Sequence, residues 1–315
     1  MKDTDGDDKA DLREVIFSGF GTGDTHQNIN SFTWSPGGEL FFCQGLHAFS
    51  RVETPWGIVR MDEHGVFRLR PRRRQLHAFR GVSGQNPWGV AFGHWGEPFA
   101  KGNNNELSEF LPVMVHTENR HRTLNIGHTK SKSMVAEIVD SVHLPDDIQG
   151  NVLIAGYFAH MIDRLRLMPD GAGHKAEALA PLLVSGHRSF RPVDIKVGPD
   201  GAVYIADWFN PIIGHYQASL RHPDRNREHG RIWRITAKGR PLVETPRLDG
   251  LSVRELFEQL KSPHRWVRHQ ARLLLSARDT EEIEKAVRTL SPNDDRQLFD
   301  ILSVLEWHES VDRRL

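Results

Sequence analysis

The 315-residue chain has a single cysteine, Cys43, and no excess charge of either sign, since 41 basic side chains balance 41 acidic ones. One cysteine excludes a disulfide within the chain and leaves no set of thiolates for a structural zinc. Balanced charge gives no broad basic face for a nucleic acid. The short basic run RLRPRRR at 68–74 is typical of a solvated turn, so no nucleic-acid partner is predicted.

The sequence also lacks a long apolar run. No stretch approaches the ~20 residues that a membrane-spanning helix needs, so no span is predicted. The opening residues MKDTDGDDKADLRE are acidic where a signal peptide would have a basic segment followed by an apolar one. We therefore expect no signal peptide in this chain.

That acidic opening has the spacing of a calcium-binding loop of the EF-hand type. The stretch DTDGDDKADLRE places oxygen ligands at loop positions 1, 3, 5, 9 and 12, namely Asp3, Asp5, Asp7, Asp11 and Glu14. Asp8 stands at the sixth position, where such loops have glycine, although aspartate tolerates left-handed backbone better than most residues. A calcium site is predicted, and a solvated acidic terminus is the alternative.

One hairpin pattern recurs along the first three quarters of the chain. An apolar lead-in, a turn with proline or glycine and then a run of strand-forming residues occur in SFTWSPGGELFFCQG, GVAFGHWGEPFAKG, DDIQGNVLIAGY and DIKVGPDGAVYIADW. Repeated four-stranded units are typical of a β-propeller, and residues 1–243 hold roughly four of them. A six-bladed propeller needs more chain, so we expect N-terminal blades to be missing.

After a linker at 244–250 the apolar period changes to that of helices. Val253, Leu256, Phe257 and Leu260 fall on one helical face, and Ser252 with Glu255 forms a capping box ahead of them. Further segments with this period follow up to Leu315. The prediction for 251–315 is a truncated array of HEAT-like repeats, and a small helical cap on the propeller is the alternative.

The segment HQNINSFTWSPGGELFFCQG, which begins at His26, resembles the catalytic segment of soluble aldose dehydrogenases that use pyrroloquinoline quinone (PQQ). The resemblance implies that His26 is the general base that accepts the proton of a sugar hydroxyl. QNPWGVAF resembles a second segment of that family, which implies cofactor-binding roles for Gln85 and Asn86. Gln85 replaces the family's arginine.

Two further segments resemble the same family but differ at key positions. FRPVDIKVGPDG gives Arg191 the place of the first of two cofactor-binding arginines, and Val193 replaces the second. In NVLIAGYFAH, Ala159 replaces the quinone-binding lysine. These changes remove much of the cationic clamp for the quinone carboxylates, because arginine makes bidentate contacts that glutamine cannot reproduce.

Nearly the whole chain is similar to the membrane-bound dehydrogenase family of planctomycetes and their relatives. HQNINSFTW, FSRVETPWG, NPWGVAFGHWGEPFAKG and RWVRHQAR carry this similarity. It implies a propeller followed by HEAT repeats, PQQ and calcium as cofactors, a sugar or alcohol substrate, a c-type cytochrome as electron acceptor and an extracytoplasmic location. No C-x-x-C-H motif for haem attachment occurs in this chain.

Other candidates for cofactor binding follow the last predicted hairpin. Asp207 ends a strand, and His215 and His229 lie in the long connection HYQASLRHPDRNREHGR, which we expect to cross a propeller face. The sequence leaves two alternatives to a PQQ-dependent dehydrogenase. One is a carbohydrate-binding or scaffold propeller without catalysis, in which His26 is part of the binding module, and the other is a metal-dependent, lactonase-like hydrolase.

Overall fold

The structure, a computed structural model, describes residues 1, 3–23, 28–82, 84–102, 105–110, 123–213 and 221–310. The predicted hairpins form four antiparallel sheets in chain order. The first sheet contains β1 (Asn30–Trp34), β2 (Leu40–Gln44), β5 (Gly65–Arg70) and β6 (Gln75–Arg80), and β3 (Phe49–Thr54) pairs with β4 (Gly57–Asp62) in a separate hairpin. The second contains β7 (Val90–Phe92), β8 (Pro98–Lys101), β9 (Glu106–Glu109) and β10 (Leu124–His128).

The third sheet contains β11 (Met134–Ile138), β12 (Asn151–Gly156), β13 (Met161–Asp170) and β14 (Gly173–Ala178), and the short β15 (Leu183–Val184) pairs with β13. A 3₁₀ turn, Asp146–Ile148, lies between β11 and β12. The fourth sheet has three strands, β16 (Pro192–Val197), β17 (Val203–Asp207) and β18 (Arg231–Ile235). The first strands of successive sheets contact one another, β1 with β7, β7 with β11 and β11 with β16. This is the blade order expected of a propeller. The described residues form no closed ring, and a ring of six blades stays a prediction.

Neighbouring sheets pack face to face, so their strands are buried on both sides. On β2, Phe41 and Cys43 join a core with Phe92 of the second sheet, whereas Phe42 between them joins a core with Val52 of the β3–β4 hairpin. Successive side chains of a strand point to opposite faces. Double burial therefore explains why the central strands are continuously apolar and do not alternate with polar residues.

The first strands of three sheets carry an irregularity in their pairing. The register shifts between Asn30 and Thr33 in β1, within β11 and within β16. Ser31 and Val135 have φ of 57° and 33°, a region that non-glycine residues rarely adopt. Bulges are frequent beside functional sites, where they redirect a side chain or end the pairing.

Four helices follow the sheets: α1 (Val253–Gln259), α2 (Arg265–Ser276), α3 (Thr280–Val287) and α4 (Asp295–Trp307). The predicted capping box is confirmed, because the Ser252 side chain accepts from the Glu255 N–H and the Glu255 carboxylate accepts from the Ser252 N–H. Apolar side chains of all four helices form one core. A HEAT-like array stays a prediction. None of the described helices combines the length and apolar character needed to cross a bilayer.

The helices cover one end of the sheets by contacting the first turn of each. His264 Nε2 lies 3.2 Å from the Gly198 carbonyl, Arg268 pairs with Asp140, and Trp307 Nε1 donates to the Pro36 carbonyl at 2.6 Å. In the second sheet, Arg296 donates to the carbonyl of His94. The opposite end carries the connections that lead into the first strands, so we call it the loop end.

A buried ion pair inside the helical region should be a strong determinant of its stability. Arg272 Nη1 lies 2.5 Å from Asp300 Oδ1, both side chains are at most 5% exposed, and burial lowers the pKa of Arg272 to about 10. Asp300→Ala would leave this cation without its partner, so we expect the free energy of unfolding to fall by ~3–5 kcal/mol in urea titrations followed by circular dichroism. Glu281→Ala, which removes the exposed pair with Lys285, should change it by less than ~0.5 kcal/mol. Equal effects of the two variants would contradict this assignment.

Candidate functional site

Most of the candidate side chains predicted for a cofactor lie at the loop end. Gln85 and Asn86 precede β7, Arg191 precedes β16, Asp207 ends β17 and His229 precedes β18. His26 and His215 lie outside the described residues, so their predicted roles stay predictions.

Arg191 is buried and its guanidinium is bound by the backbone. Nε donates to the Asn210 carbonyl at 2.9 Å, Nη1 to the Tyr157 carbonyl at 2.8 Å and Nη2 to the Pro211 carbonyl at 3.3 Å. Burial lowers the pKa of Arg191, with Arg188 acting in the same direction. Arg191 therefore fastens the connection after β17 to the end of β12, and three of its donor groups are already engaged.

Asp207 is a buried hydrogen-bond centre beside Arg191. One oxygen accepts from the backbone N–H groups of Arg191 and Phe209 at 2.8 and 2.9 Å, and the other from Arg231 Nε and Trp233 Nε1 at 2.8 and 3.0 Å. Burial alone would raise the pKa of Asp207, but these hydrogen bonds outweigh it and hold the pKa below its usual value. Asp207 is therefore ionised, and its carboxylate holds the Arg231 guanidinium in place.

Aromatic and cationic groups lie around the Arg231 guanidinium that Asp207 binds. The Arg231 guanidinium lies 4.0 Å from the ring centroid of Phe209, whose other contacts are a stacked His187 at 5.7 Å and an edge-on His229 at 6.2 Å. Phe209 has φ of 53°, a strained value for an aromatic residue. Trp233 lies 5.0 Å from Arg231 and is 42% exposed. We call Asp207, Phe209, Arg231, Trp233, His187 and His229 the Arg231 cluster.

Gln85 and Asn86 take different positions in the connection before β7. Gln85 is exposed and its carbonyl accepts from the Leu46 N–H at 2.9 Å, whereas Asn86 is half-buried. His229 is exposed and its Nδ1 lies 3.1 Å from Asn226 Oδ1. These contacts give Gln85, Arg191 and His229 no shared partner among the described residues, and their joint role in cofactor binding stays a prediction.

The residues that the resemblance assigns to the quinone do not fit the carboxylates of PQQ. Ala159 has no charge to offer, Gln85 is a neutral amide, and three donor groups of Arg191 are spent on carbonyl oxygens. A cofactor with several carboxylates needs cationic or N–H donors that point into its site. No step of a reaction is therefore assigned to the quinone.

Three buried polar atoms near the first strands have no hydrogen-bond partner among the described residues. They are Oδ1 of Asn28, Oδ1 of Asn30 and Nε1 of Trp88. Asn28 lies two residues before β1, and Asn30 is its first residue. Trp88 directly precedes Gly89, and a Cβ added to Gly89 would lie 3.6 Å from the Cβ of Ser31 in β1, so the two segments are close together. Because burying a polar atom without a partner costs about 1–3 kcal/mol, such atoms are expected where a ligand completes the bonding.

Sequence reasoning missed a buried lysine and a buried aspartate at this end. Lys101, at the end of β8, is fully buried, and its Nζ donates to the carbonyls of Gly102 and Glu106 at 2.9 and 3.0 Å. Burial lowers the pKa of Lys101 to about 7, and burial also raises the pKa of Asp163, whose Oδ2 has no hydrogen-bond partner. The signal was present in the sequence, because PFAKG and HMIDRL place a charge inside an apolar strand.

The acidic N-terminal segment brings three of its five predicted ligands together. One carboxylate oxygen each from Asp3, Asp5 and Asp11 lies within 4.8 Å of the others, which suits a Ca²⁺ ion with ligands at about 2.3–2.6 Å. Hydrogen bonds lower the pKa of Asp3, the largest from the Gly6 N–H, and of Asp11, the largest from the Thr4 side chain. Both carboxylates are therefore ready as anionic ligands, and the site is compatible with the predicted cation.

The other two predicted ligands lie elsewhere. Glu14 Oε1 is 2.7 Å from Nη2 of Arg74, and Asp7 Oδ2 is 3.6 Å from Nζ of Lys9. The chain continues from Asp11 towards the β5–β6 turn that carries Arg74, so Glu14 meets this cation instead of closing the loop. Asp8 has φ of 65°, the left-handed conformation expected at the sixth position.

Comparisons with known proteins give one family and several distant structures. A family model described as a domain of unknown function, DUF7133, matches residues 1–142 and 121–239. Comparison with curated proteins finds no match. A glucose dehydrogenase structure is 12% identical over 69% of this chain and 63% of its own, with a TM-score of 0.41. Virginiamycin B lyase from Staphylococcus aureus is 12% identical over 67% and 71%, with a TM-score of 0.37.

A third solved structure is the calcium-binding protein regucalcin from Agrobacterium tumefaciens. It is 13% identical over 57% of this chain and 53% of its own, with a TM-score of 0.35. TM-scores of this size are too low to carry an argument about activity.

Lys101 should make the stability of the fold depend on pH in a defined window. In the unfolded chain it titrates near its ordinary pKa of 10.5, so between the folded value of about 7 and 10.5 the unfolded state holds a proton that the folded state lacks. The free energy of unfolding should therefore rise with pH in this window, and the cost of a buried ammonium is complete below it. Urea titrations from about pH 6.5 to 8.5 should show this rise in the parent and a flatter profile in Lys101→Met. Equal slopes would contradict the buried-ammonium account.

Calcium binding should depend on the three gathered carboxylates. Asp3→Asn and Asp11→Asn each remove a negative ligand, so calorimetry should show calcium binding at least ~10-fold weaker. Glu14→Gln is the matched control, because its carboxylate is engaged by Arg74 and the affinity should change less than ~2-fold. Unchanged affinity in Asp3→Asn and Asp11→Asn would leave this segment as a solvated acidic terminus.

Proposed function

We propose that this chain, which belongs to the DUF7133 family, binds a polyhydroxylated ligand, a sugar or a related alcohol, at the loop end of its sheets. The observation that carries the proposal is the set of buried atoms without partners, Oδ1 of Asn28, Oδ1 of Asn30 and Nε1 of Trp88. A hydroxyl group donates one hydrogen bond and accepts two, so neighbouring hydroxyls of one ligand can satisfy both amide oxygens and the indole N–H.

The Arg231 cluster supports the same class of ligand. Exposed indole surface at Trp208 and Trp233 offers flat apolar faces for the C–H side of a sugar ring, and each residue is 42% exposed. Asp207 holds Arg231 from below through Nε, with Nη2 also 2.8 Å from Asp207 Oδ2. The guanidinium keeps further N–H groups for hydroxyl oxygens. Apolar walls with a few fixed polar groups are the usual composition of small-molecule sites.

Oxidation of the same ligand is the second candidate function. It is favoured by Lys101 and Asp163, which lie at the loop end and whose pKa values burial shifts towards neutrality from opposite sides. Pairs of groups shifted in this way are typical of sites that move protons. The predicted base His26 would add to them. This candidate requires an electron acceptor for the hydride.

The role of the Trp88 indole can be separated from its role in packing. Trp88→Phe removes an N–H without a partner, so we expect calorimetric titration with hexoses and their disaccharides to show ~5–10-fold weaker binding, while the free energy of unfolding stays equal or increases. Trp56→Phe is the matched control, because the Trp56 indole donates to the Arg73 carbonyl and lies away from the loop end. The control should bind as the parent does.

Two outcomes would contradict the binding proposal. One is the absence of binding by any hexose or disaccharide at millimolar concentration, and the other is equal weakening in Trp88→Phe and Trp56→Phe. Adding PQQ, calcium and an artificial electron acceptor to the same samples separates binding from oxidation. Turnover that is lost in Lys101→Met would favour the second candidate, and binding without turnover would favour the first.

A further inference from the structure

Positive charge exceeds negative charge in the connections that surround the Arg231 cluster. The connection before β16 and the segment from the end of β17 to the start of β18 contain the arginines Arg188, Arg191, Arg221, Arg225, Arg227 and Arg231, and the acidic residues Asp207, Asp224 and Glu228. The connection after β12, whose Tyr157 carbonyl binds Arg191, contains no acidic residue. This part of the loop end therefore favours a ligand that brings negative charge.

Asp207 occupies one edge of the Arg231 guanidinium and leaves the other edge available. Oδ2 of Asp207 lies 2.8 Å from both Nε and Nη2 of Arg231, and the Arg231 side chain makes no other hydrogen bond or ion pair with a described residue. The side chain is 30% exposed. Because arginine holds five N–H groups in a planar fork, the edge between Nη1 and Nη2 can bind two oxygens of a ligand.

The single carboxylate of Asp207 faces two arginines. It accepts from the Arg231 guanidinium and from the backbone N–H of Arg191. The Arg191 guanidinium itself binds only carbonyl oxygens among the described residues. Burial and then the charge of Arg188 lower the pKa of Arg191, and Asp207 opposes them. One negative charge therefore leaves the positive charge of this pair only partly compensated.

Arg188 adds a further cation beside the cluster. It is exposed, and no hydrogen bond or ion pair joins it to another described residue. Its neighbour in the chain, His187, stacks on Phe209 at 5.7 Å, and the Arg231 guanidinium lies 4.0 Å from the centroid of the same ring. Arg188 is thus a solvent-facing cation next to the residues that hold Arg231.

We propose that the ligand of the loop end is an acidic sugar, which carries its negative charge on a carboxylate or a phosphate group. This inference rests on the proposed function, because it names the class of the polyhydroxylated ligand. The Nη1–Nη2 edge of Arg231 binds two oxygens of the anionic group, and Arg188 supplies a second positive charge. The exposed indole of Trp233 packs against the sugar ring. An amino sugar would be repelled by the same cations.

Sugars of one ring size test the sign of the charge. Calorimetric titration of the full chain with glucuronate, glucose 6-phosphate, glucose and glucosamine should show at least ~10-fold tighter binding of one acidic sugar than of glucose, and the weakest binding for glucosamine. The tighter of the two acidic sugars identifies the anionic group. Added salt should weaken binding of the acidic sugar and leave that of glucose unchanged.

The outcomes of this titration separate the inference from the proposed function. Equal binding of glucose and both acidic sugars would overturn the inference and leave the proposed function intact. Absence of binding by all four sugars would overturn both. PQQ is the other source of carboxylates at this end, so binding of PQQ without binding of either acidic sugar would also overturn the inference.

Substitutions test the place of binding. Arg188→Gln removes an exposed cation and should weaken binding of the acidic sugar ~5–10-fold, with less than ~2-fold change for glucose. Arg231→Lys keeps the charge but loses the two-pronged edge, so it should weaken binding of the acidic sugar by ~10-fold. Arg254→Gln, which removes an exposed arginine of α1, is the matched control and should bind as the parent does. Thermal unfolding checks that the variants are folded. Parent-like binding of the acidic sugar by folded Arg188→Gln and Arg231→Lys would overturn the assignment.

Discussion

Burial of both faces of the first three sheets is the constraint on which the rest of the molecule depends. Phe41 and Phe42 are neighbours on one strand, yet they belong to different cores, because the first sheet packs on the second sheet with one face and on the β3–β4 hairpin with the other. Sheets packed in this way have no free face for a ligand. Polar chemistry is therefore left to the two ends of the strands, where the backbone leaves the ladder.

The two ends differ because the helices occupy only one of them. At that end, the contacts of Trp307 with Pro36 and of Arg268 with Asp140 fasten α4 and α2 to turns that lie far away in the sequence. At the loop end, Asn28, Asn30, Trp88 and Asp163 instead retain polar atoms that have no partner within the described part of the chain. Such atoms reduce stability and are consistent with a ligand that supplies the missing bonds.

Arg191 shows why a matching residue does not establish a matching role. Its position in the segment agrees with a cofactor-binding arginine, but the fold uses its guanidinium to hold the carbonyls of Tyr157, Asn210 and Pro211. The identity of a side chain is local information, whereas its partners come from two other connections, the one after β12 and the one after β17. The same reasoning applies to Glu14, whose carboxylate meets Arg74 instead of the calcium loop.

The sequence by itself determined the local elements of this protein. Apolar strands around turns with proline or glycine predicted hairpins of the first, second and fourth sheets, and Ser252 with Glu255 predicted the start of α1, because strand pairing at a tight turn and helix capping involve residues only a few positions apart. In the third sheet the residues before the predicted turn form the 3₁₀ turn Asp146–Ile148, and β12 pairs with the more distant β11. Only the tertiary structure decided which side chains meet across longer separations. The burial of Lys101, the anchoring of Arg231 by Asp207 and the meeting of Trp34 with Trp307 each depend on how whole sheets and helices pack, and no local periodicity specifies that.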